Sequence, residues 1–172
     1  MQTSFDHVEN VVQEIANRFS CSYPSKEGWD ENRYFDDIKL MLPTGWEIWN
    51  LTDFNYGFSN HYLIAPKQKN ESREYYDYAI GFEVSFILDA YYTSIHKIPN
   101  KKTLNLHVQS DLKYQQACTL AETLREFIHS KGFFEIHDSW LNVPVENVRL
   151  ELSEHPNIYN CLFDDNGKNV FR

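Results

Sequence analysis

Hydrophobic residues recur at steps of three and four positions in two parts of the chain, which is the spacing of one buried helix face. The first part covers residues 4–20, where Val8 and Ile15 fall on the same face. The second covers residues 111–131, and Gly132 follows where helices commonly stop. The stripe of this second helix consists of Ala117, Leu120, Ala121, Leu124, Phe127 and Ile128. The pattern therefore predicts two long helices.

Residues 76–88 alternate between hydrophobic and polar positions, which predicts a strand with one face on the core. The alternation weakens near Asp89, where either the strand continues or a turn begins a second strand at Tyr91. A helix over residues 83–97 is the alternative, because this stretch contains no glycine or proline. The period of two over thirteen residues favours the strand.

Shorter alternating segments predict further strands at residues 38–42, 46–49, 61–65, 103–109, 133–137, 148–152 and 158–163. On this pattern Glu47 and Glu83 are expected to point to solvent from half-buried strands. The order of helix, strands, helix and strands favours an α+β fold in one globular domain over residues 1–172. The short turns between strands predict a mainly antiparallel sheet, with the two long helices packed on one face.

The chain of 172 residues has a formal net charge of −9, which changes the range of expected partners. A negative field repels phosphate backbones and anionic membrane surfaces, so we expect neither nucleic-acid nor membrane binding. The same field attracts basic proteins. The first residues lack the pattern of a signal peptide, and the three cysteines are odd in number, which predicts reduced thiols and a cytoplasmic location.

Familiar catalytic and cofactor-binding motifs do not occur in the sequence. The six glycines form no dinucleotide-binding or Walker pattern, and there is no G-x-S-x-G nucleophile motif. No close pair of cysteines or histidines has the spacing of a zinc site. The sequence therefore predicts no catalytic residue, no cofactor and no metal, and it favours a binding protein over an enzyme.

The densest mixture of charge and aromatic rings lies between residues 26 and 37. Carboxylates can steer a basic partner, while large rings and arginine commonly anchor it. The predicted protein-binding residues are Glu27, Trp29, Asp30, Glu31, Arg33, Tyr34, Asp36 and Asp37. The competing interpretation is structural: the rings belong to the core and the acids are solvated surface.

The leading hypothesis is a non-enzymatic acidic protein that binds a basic partner. Its small size, acidity and aromatic content are similar in general character to immunity proteins that neutralise toxins, although no family motif supports the likeness. The alternative is a small-ligand-binding protein or an enzyme with an aromatic-lined pocket around Trp46, Trp49, Tyr56 and His61. A third hypothesis, self-association through an aromatic face, leaves the oligomeric state open.

Overall fold

The computed structural model of the protein describes residues 4–21, 23–67, 78–97 and 107–165. The helices in these ranges are α1 (Ser4–Cys21), α2 (Phe35–Met41), α3 (His107–Ser130) and α4 (Ile158–Leu162). The strands are β1 (Trp46–Asn50), β2 (Ser59–Pro66), β3 (Tyr78–Ser85), β4 (Ala90–Lys97) and β5 (Phe134–Glu135). None of the described helices combines the length and the hydrophobicity needed to cross a bilayer.

The strands form one sheet in the order β1-β2-β3-β4-β5. The pairings from β1 to β4 are antiparallel, and the short β5 pairs with β4 in the parallel direction. The sheet is therefore mixed. The α+β class agrees with the prediction from the sequence. The prediction of a mainly antiparallel sheet is met in part, because β5 returns to the sheet after the long helix α3 and not through a tight turn.

Hydrophobic clusters cover both faces of the sheet, since successive strand residues point to opposite sides. On one face Phe82 packs in a cluster with Leu124 of α3. On the other face Tyr92 packs with Tyr159 of α4, and Ile15 of α1 belongs to the same cluster. The two long helices thus contribute to different clusters, which differs from the prediction that both pack on one face.

The prediction of a strand over residues 76–88 is confirmed for residues 78–85 and is wrong for residues 86–88, which bend away from the strand. Residues 78–85 form β3 and residues 90–97 form β4, with a bend at 86–89 between them. The alternative of a helix over residues 83–97 is wrong. Residues 76 and 77 lie outside the described ranges.

Residues 38–42 do not form the predicted strand, because most of them belong to helix α2. Ile38 is fully buried, whereas Leu40 is 85% exposed, so the two do not share a strand face. Asp36 and Asp37 lie in the first turn of α2, where carboxylates interact favourably with the helix N-terminus. A segment of five residues is too short for its pattern to separate a strand from a helix.

Residues 158–163 were also predicted as a strand, and this prediction is wrong because α4 occupies them. Asn157 caps α4: its side chain accepts a hydrogen bond from the Asn160 backbone amide at 2.9 Å, and the Asn160 side chain accepts one from the Asn157 backbone amide at 3.1 Å. This reciprocal capping stabilises a helix start at a site where apolar alternation indicated a strand.

Of the five remaining strand predictions, two are confirmed, one is confirmed in part and two are not confirmed. Residues 148–152 form no strand, and residues 107–109 belong to α3, while residues 103–106 lie outside the described ranges. Residues 133–137 contain only the two-residue strand β5. The predictions at residues 46–49 and 61–65 are confirmed by β1 and β2.

Cys118 and Cys161 are free thiols, and the side chain of Cys21 lies outside the described part of the chain. Cys161 is fully buried. Burial, with a smaller contribution from the nearby charge of Asp165, raises the pKa of Cys161 to about 12. The neutral thiol therefore dominates at physiological pH, which fits a packing role for this residue.

Candidate functional site

Side-chain amides fasten residues 26–37, called here the acidic loop, to the sheet. Asn60 of β2 donates from its side-chain nitrogen to the carbonyls of Asp30 and Glu31, at 3.1 and 2.8 Å. Its side-chain oxygen accepts the indole N–H of Trp29 at 2.6 Å. Asn50 of β1 donates to the same Glu31 carbonyl at 2.9 Å. Because Asn60 is fully buried, these contacts fix the loop backbone from within the protein.

The two predicted aromatic anchors of the acidic loop, Trp29 and Tyr34, are half-buried. The Trp29 ring lies 5.9 Å from the ring of Phe86. The Tyr34 ring meets Phe127 and Phe133 edge-on, at 5.7 and 6.0 Å between centroids. Both rings therefore attach the loop to hydrophobic clusters, and only their exposed edges remain for contact with a partner.

Both basic residues of the acidic loop contact aromatic rings of the protein. The Arg33 guanidinium lies 4.0 Å from the centre of a Trp29 ring. Lys26 donates from Nζ to the Phe54 carbonyl at 3.0 Å and lies 5.8 Å from the centre of the Phe54 ring. These contacts hold the two cations against the protein and away from a pairing with the loop carboxylates.

The carboxylates of the acidic loop remain exposed; they are Glu27, Asp30, Glu31, Asp36 and Asp37. Within the described ranges, no ion pair engages any of them. Asp30 accepts a local hydrogen bond from the Asn32 amide at 2.8 Å. The loop thus presents several negative charges on a fixed backbone, and such an arrangement raises the local concentration of cations and basic surfaces.

A second polar site, called here the His61 pocket, lies on the sheet face that α4 covers. Its volume is about 310 Å³. His61 and Glu83 are partners across β2 and β3, so their side chains lie next to each other on this face. The lining residues are Leu51, Asp53, Tyr56, Gly57, Ser59, His61, Glu83, Phe163 and Asp164.

Glu83 is 2% exposed, so the prediction that it points to solvent is wrong. The Tyr159 hydroxyl donates to its carboxyl oxygens, at 3.3 and 3.4 Å. Burial raises the pKa of Glu83 to about 8; the Tyr159 hydrogen bond opposes this rise and the charge of Asp164 adds to it. The carboxyl therefore carries a proton at neutral pH. The other acid predicted to face solvent, Glu47, is half-buried.

His61 remains neutral at physiological pH. Burial lowers its pKa to about 4, and the charge of His96 lowers it further. Its backbone amide donates to the Thr52 hydroxyl at 3.1 Å, and its carbonyl accepts the Leu51 amide at 2.8 Å. The His61 backbone thereby positions the segment between β1 and β2 that forms one wall of the pocket.

A tight turn at residues 53–57 forms the mouth of the His61 pocket. The Asp53 carboxylate accepts the Asn55 backbone amide at 2.9 Å, and the Asp53 carbonyl accepts the Gly57 amide, also at 2.9 Å. A Cβ at Gly57 would lie 2.5 Å from that carbonyl oxygen, so the turn requires glycine. Gly57 also bridges to Asp164, which places the C-terminal segment against the pocket.

The structure brings together only part of the aromatic pocket suggested by the sequence. Tyr56 and His61 line the same cavity. Trp46 instead packs against the cluster under α3, and neither it nor Trp49 lines the pocket. Sequence analysis missed Tyr159 and Asp164. A further signal for the site was an acidic residue, Glu83, inside an otherwise apolar strand.

No group of three or more His, Cys, Asp or Glu side chains in the described ranges has the arrangement of a metal site. Comparisons with protein-family models, with curated proteins and with solved structures find no match for this chain. Function is therefore inferred from the acidic loop and the His61 pocket themselves.

Proposed function

We propose that the protein is a non-enzymatic acidic binding protein, most concretely an immunity protein that neutralises a toxin by covering a basic surface. The observation that supports this most strongly is the acidic loop, whose exposed carboxylates stand on a backbone held by Asn60 and Asn50. A protein that acts on an anionic substrate presents a basic surface to it, and the loop is complementary to such a surface.

The fixed backbone of the acidic loop favours tight binding. Ordering one flexible residue costs roughly 1–2 kcal/mol. Because Asn60, Trp29 and Asn50 already hold the loop in the free protein, binding does not incur this cost for the loop. The charges then add steering, which commonly raises association rates by about 10- to 1000-fold.

Co-expression tests this function. The product of the neighbouring gene, which the proposal expects to be a toxin, is expressed in a sensitive host, and growth is compared with and without the wild-type protein. A loop variant and a control variant each remove four negative charges. The loop variant carries D30N, E31Q, D36N and D37N. The control carries E9Q, E14Q, E126Q and E154Q, all at exposed positions.

We expect wild type and control to protect the host and the loop variant to protect much less at low expression. The reason is that only the loop variant changes the surface that meets the partner. Equal protection by both variants would exclude the acidic loop as the binding surface. Failure of the wild-type chain to bind or neutralise the neighbouring gene product would exclude the immunity function with that partner.

A second candidate, a small-ligand-binding protein or an enzyme, is supported by one observation: Tyr56, His61 and Glu83 line a shared cavity. A protonated carboxyl beside a neutral imidazole is a pairing that can serve acid–base chemistry. One variant distinguishes a catalytic function of the pocket from the proposed binding function. If the pocket acts as a catalytic site, Glu83→Gln abolishes protection while the affinity for the partner stays unchanged.

A further inference from the structure

The His61 pocket opens beside the acidic loop, and one segment connects the two. Leu51, Asp53 and Tyr56 are exposed residues that line the pocket. In the same segment Phe54 accepts the hydrogen bond from Lys26 of the loop. The Phe54 ring packs on Phe86, the residue that Trp29 also contacts, with centroids 5.8 and 5.9 Å apart. A partner seated on the loop therefore reaches the pocket mouth.

The lining of the His61 pocket is rich in hydrogen-bond acceptors. Asp53, Glu83 and Asp164 contribute carboxyl groups, and among the residues that the structure describes no lysine or arginine lines the cavity. The Ser59 hydroxyl donates to the Phe163 carbonyl at 3.3 Å, which leaves the hydroxyl oxygen as an acceptor. Tyr56, 42% exposed at the mouth, offers a ring face to a cation. Such a lining favours a ligand that combines positive charge with several N–H donors.

We propose that the His61 pocket binds a guanidinium or alkylammonium group through Glu83, Asp53 and Asp164, and, resting on the proposed function, that this group is an arginine or lysine side chain of the basic partner. A cavity of about 310 Å³ is at the small end for ligand sites, so it suits one side chain better than a large cofactor.

Cation binding is coupled to a proton. In the free protein the Glu83 carboxyl is protonated; beside a bound cation it ionises, and the proton passes to solvent while the carboxylate pairs with the ligand. The groups that face Glu83 are His61 of β2, Tyr92 of β4, and Tyr159 and Asp164 from the C-terminal segment. None of these supplies a positive charge at neutral pH, so within the described part of the chain the ligand cation is the group that drives ionisation.

The affinity of the pocket for a cation depends on pH, because Glu83 loses a proton when the cation binds. Guanidinium and alkylammonium ions keep their charge from pH 6 to 8, so their own titration adds nothing. Below the pKa of free Glu83, each rise of one pH unit reduces the cost of removing the proton. Affinity for the cation should therefore increase by up to about tenfold per pH unit between pH 6 and 7.5.

The test uses the full chain and two probes, methylguanidinium and n-butylammonium, titrated at pH 6 and 7.5 and followed by NMR shifts and calorimetry. Acetate serves as the anionic control. We expect saturable binding of the cations, tighter at pH 7.5, with proton release, and none of acetate. No saturable binding of either cation, or equal binding of acetate, would overturn the proposal.

Two variants assign the binding to this pocket. Glu83→Gln should weaken binding and remove its pH dependence, while Glu154→Gln, at an exposed site, should change neither. If Glu83→Gln does not fold, Tyr56→Ala at the mouth replaces it and should weaken binding severalfold, since the exposed ring contributes little to the core. Unchanged binding in the folded variant would overturn the proposal.

A competition experiment separates a partner side chain from a free small cation. Methylguanidinium should weaken partner binding to the wild-type chain, and severalfold more of it should be needed for the same effect on Tyr56→Ala. If the probe binds the pocket without competing, the partner assignment is wrong and the ligand is a free amine or guanidine. Loss of partner binding in the loop variant, by contrast, tests the acidic loop alone. Failure of the proposed cation site in the His61 pocket can therefore be told apart from failure of the proposed immunity function.

Discussion

Glu83 and His61 show how burial on one sheet face changes two ionisable groups in opposite ways. Burial raises the pKa of Glu83 to about 8 and lowers that of His61 to about 4. Both groups are therefore neutral in the folded protein near pH 7, whereas in the unfolded chain Glu83 is ionised. The stability of the fold consequently depends on pH through these two side chains.

The stability of the wild-type protein should fall between pH 6.5 and 8. In this window the folded state holds a proton on Glu83 that the unfolded chain has lost, so a rise in pH favours unfolding, by up to about 1.4 kcal/mol per pH unit. His61 acts in the opposite direction, but only between about pH 4 and 6.5. Urea denaturation across the window measures the slope. Glu83→Gln should remove most of it, and an equal slope in both proteins would contradict the raised pKa.

The acidic loop and helix α3 illustrate two ways in which elements are held. The loop depends on Asn60, whose side chain satisfies three polar groups at once. Helix α3 depends on a hydrophobic stripe, with Leu124 fully buried against the sheet. Loss of the Asn60 contacts should therefore affect local order in the acidic loop, and loss of the Leu124 contacts should affect the stability of the whole fold.

Asn60→Ala should lower the free energy of unfolding by about 1–3 kcal/mol, because the Trp29 indole and two loop carbonyls lose their partner. Faster hydrogen exchange should appear at the Arg33 and Phe35 amides, which bond to carbonyls within the loop. Asn142→Ala, at an exposed position, is the control. Unchanged exchange in the loop would mean that Asn60 does not hold it.

Leu124→Ala should destabilise the protein by about 2–5 kcal/mol, since it leaves a cavity between α3 and the sheet. Leu40→Ala in α2 provides a matched comparison, because that side chain is 85% exposed and its loss should cost less than about 0.5 kcal/mol. Chemical denaturation of both variants gives the difference directly. Similar losses would contradict the placement of the α3 stripe.

Sequence patterns predicted the long elements and failed on the short ones for a physical reason. Residues 4–20 and 111–131 contain several helical turns, and β3 and β4 lie in a long alternating run, so one period clearly dominates. Residues 38–42 and 158–163 are too short for that: Ile38 of α2 is buried in the cluster under α3, and α4 begins at the Asn157 cap.

The candidate site was predictable only in part. The exposed carboxylates of the acidic loop follow from composition, since charged residues are rarely buried. The burial of Glu83 does not, because it depends on Tyr159, which lies 76 positions further along the chain. The anchoring of Trp29 by Asn60 likewise joins residues 31 positions apart. Local patterns carry no information about such contacts.

For the whole molecule, the net charge of −9 matters through its distribution. The acidic loop carries exposed carboxylates, and the exposed Asp53 at the mouth of the adjoining His61 pocket adds another. Together they form one acidic surface on a rigid base. Such a surface should accelerate encounter with a basic partner more than it slows dissociation.

The most direct measurement is the association rate constant with the basic partner that the proposed function requires, at low and high salt, for the wild type, the loop variant and the control variant of equal net charge. At low salt, neutralising Asp30, Glu31, Asp36 and Asp37 should slow association by about tenfold or more and flatten its salt dependence. The control should associate nearly as fast as the wild type. Equal slowing in both variants would show that overall charge, and not the acidic loop, governs the encounter, and would contradict the proposed binding surface.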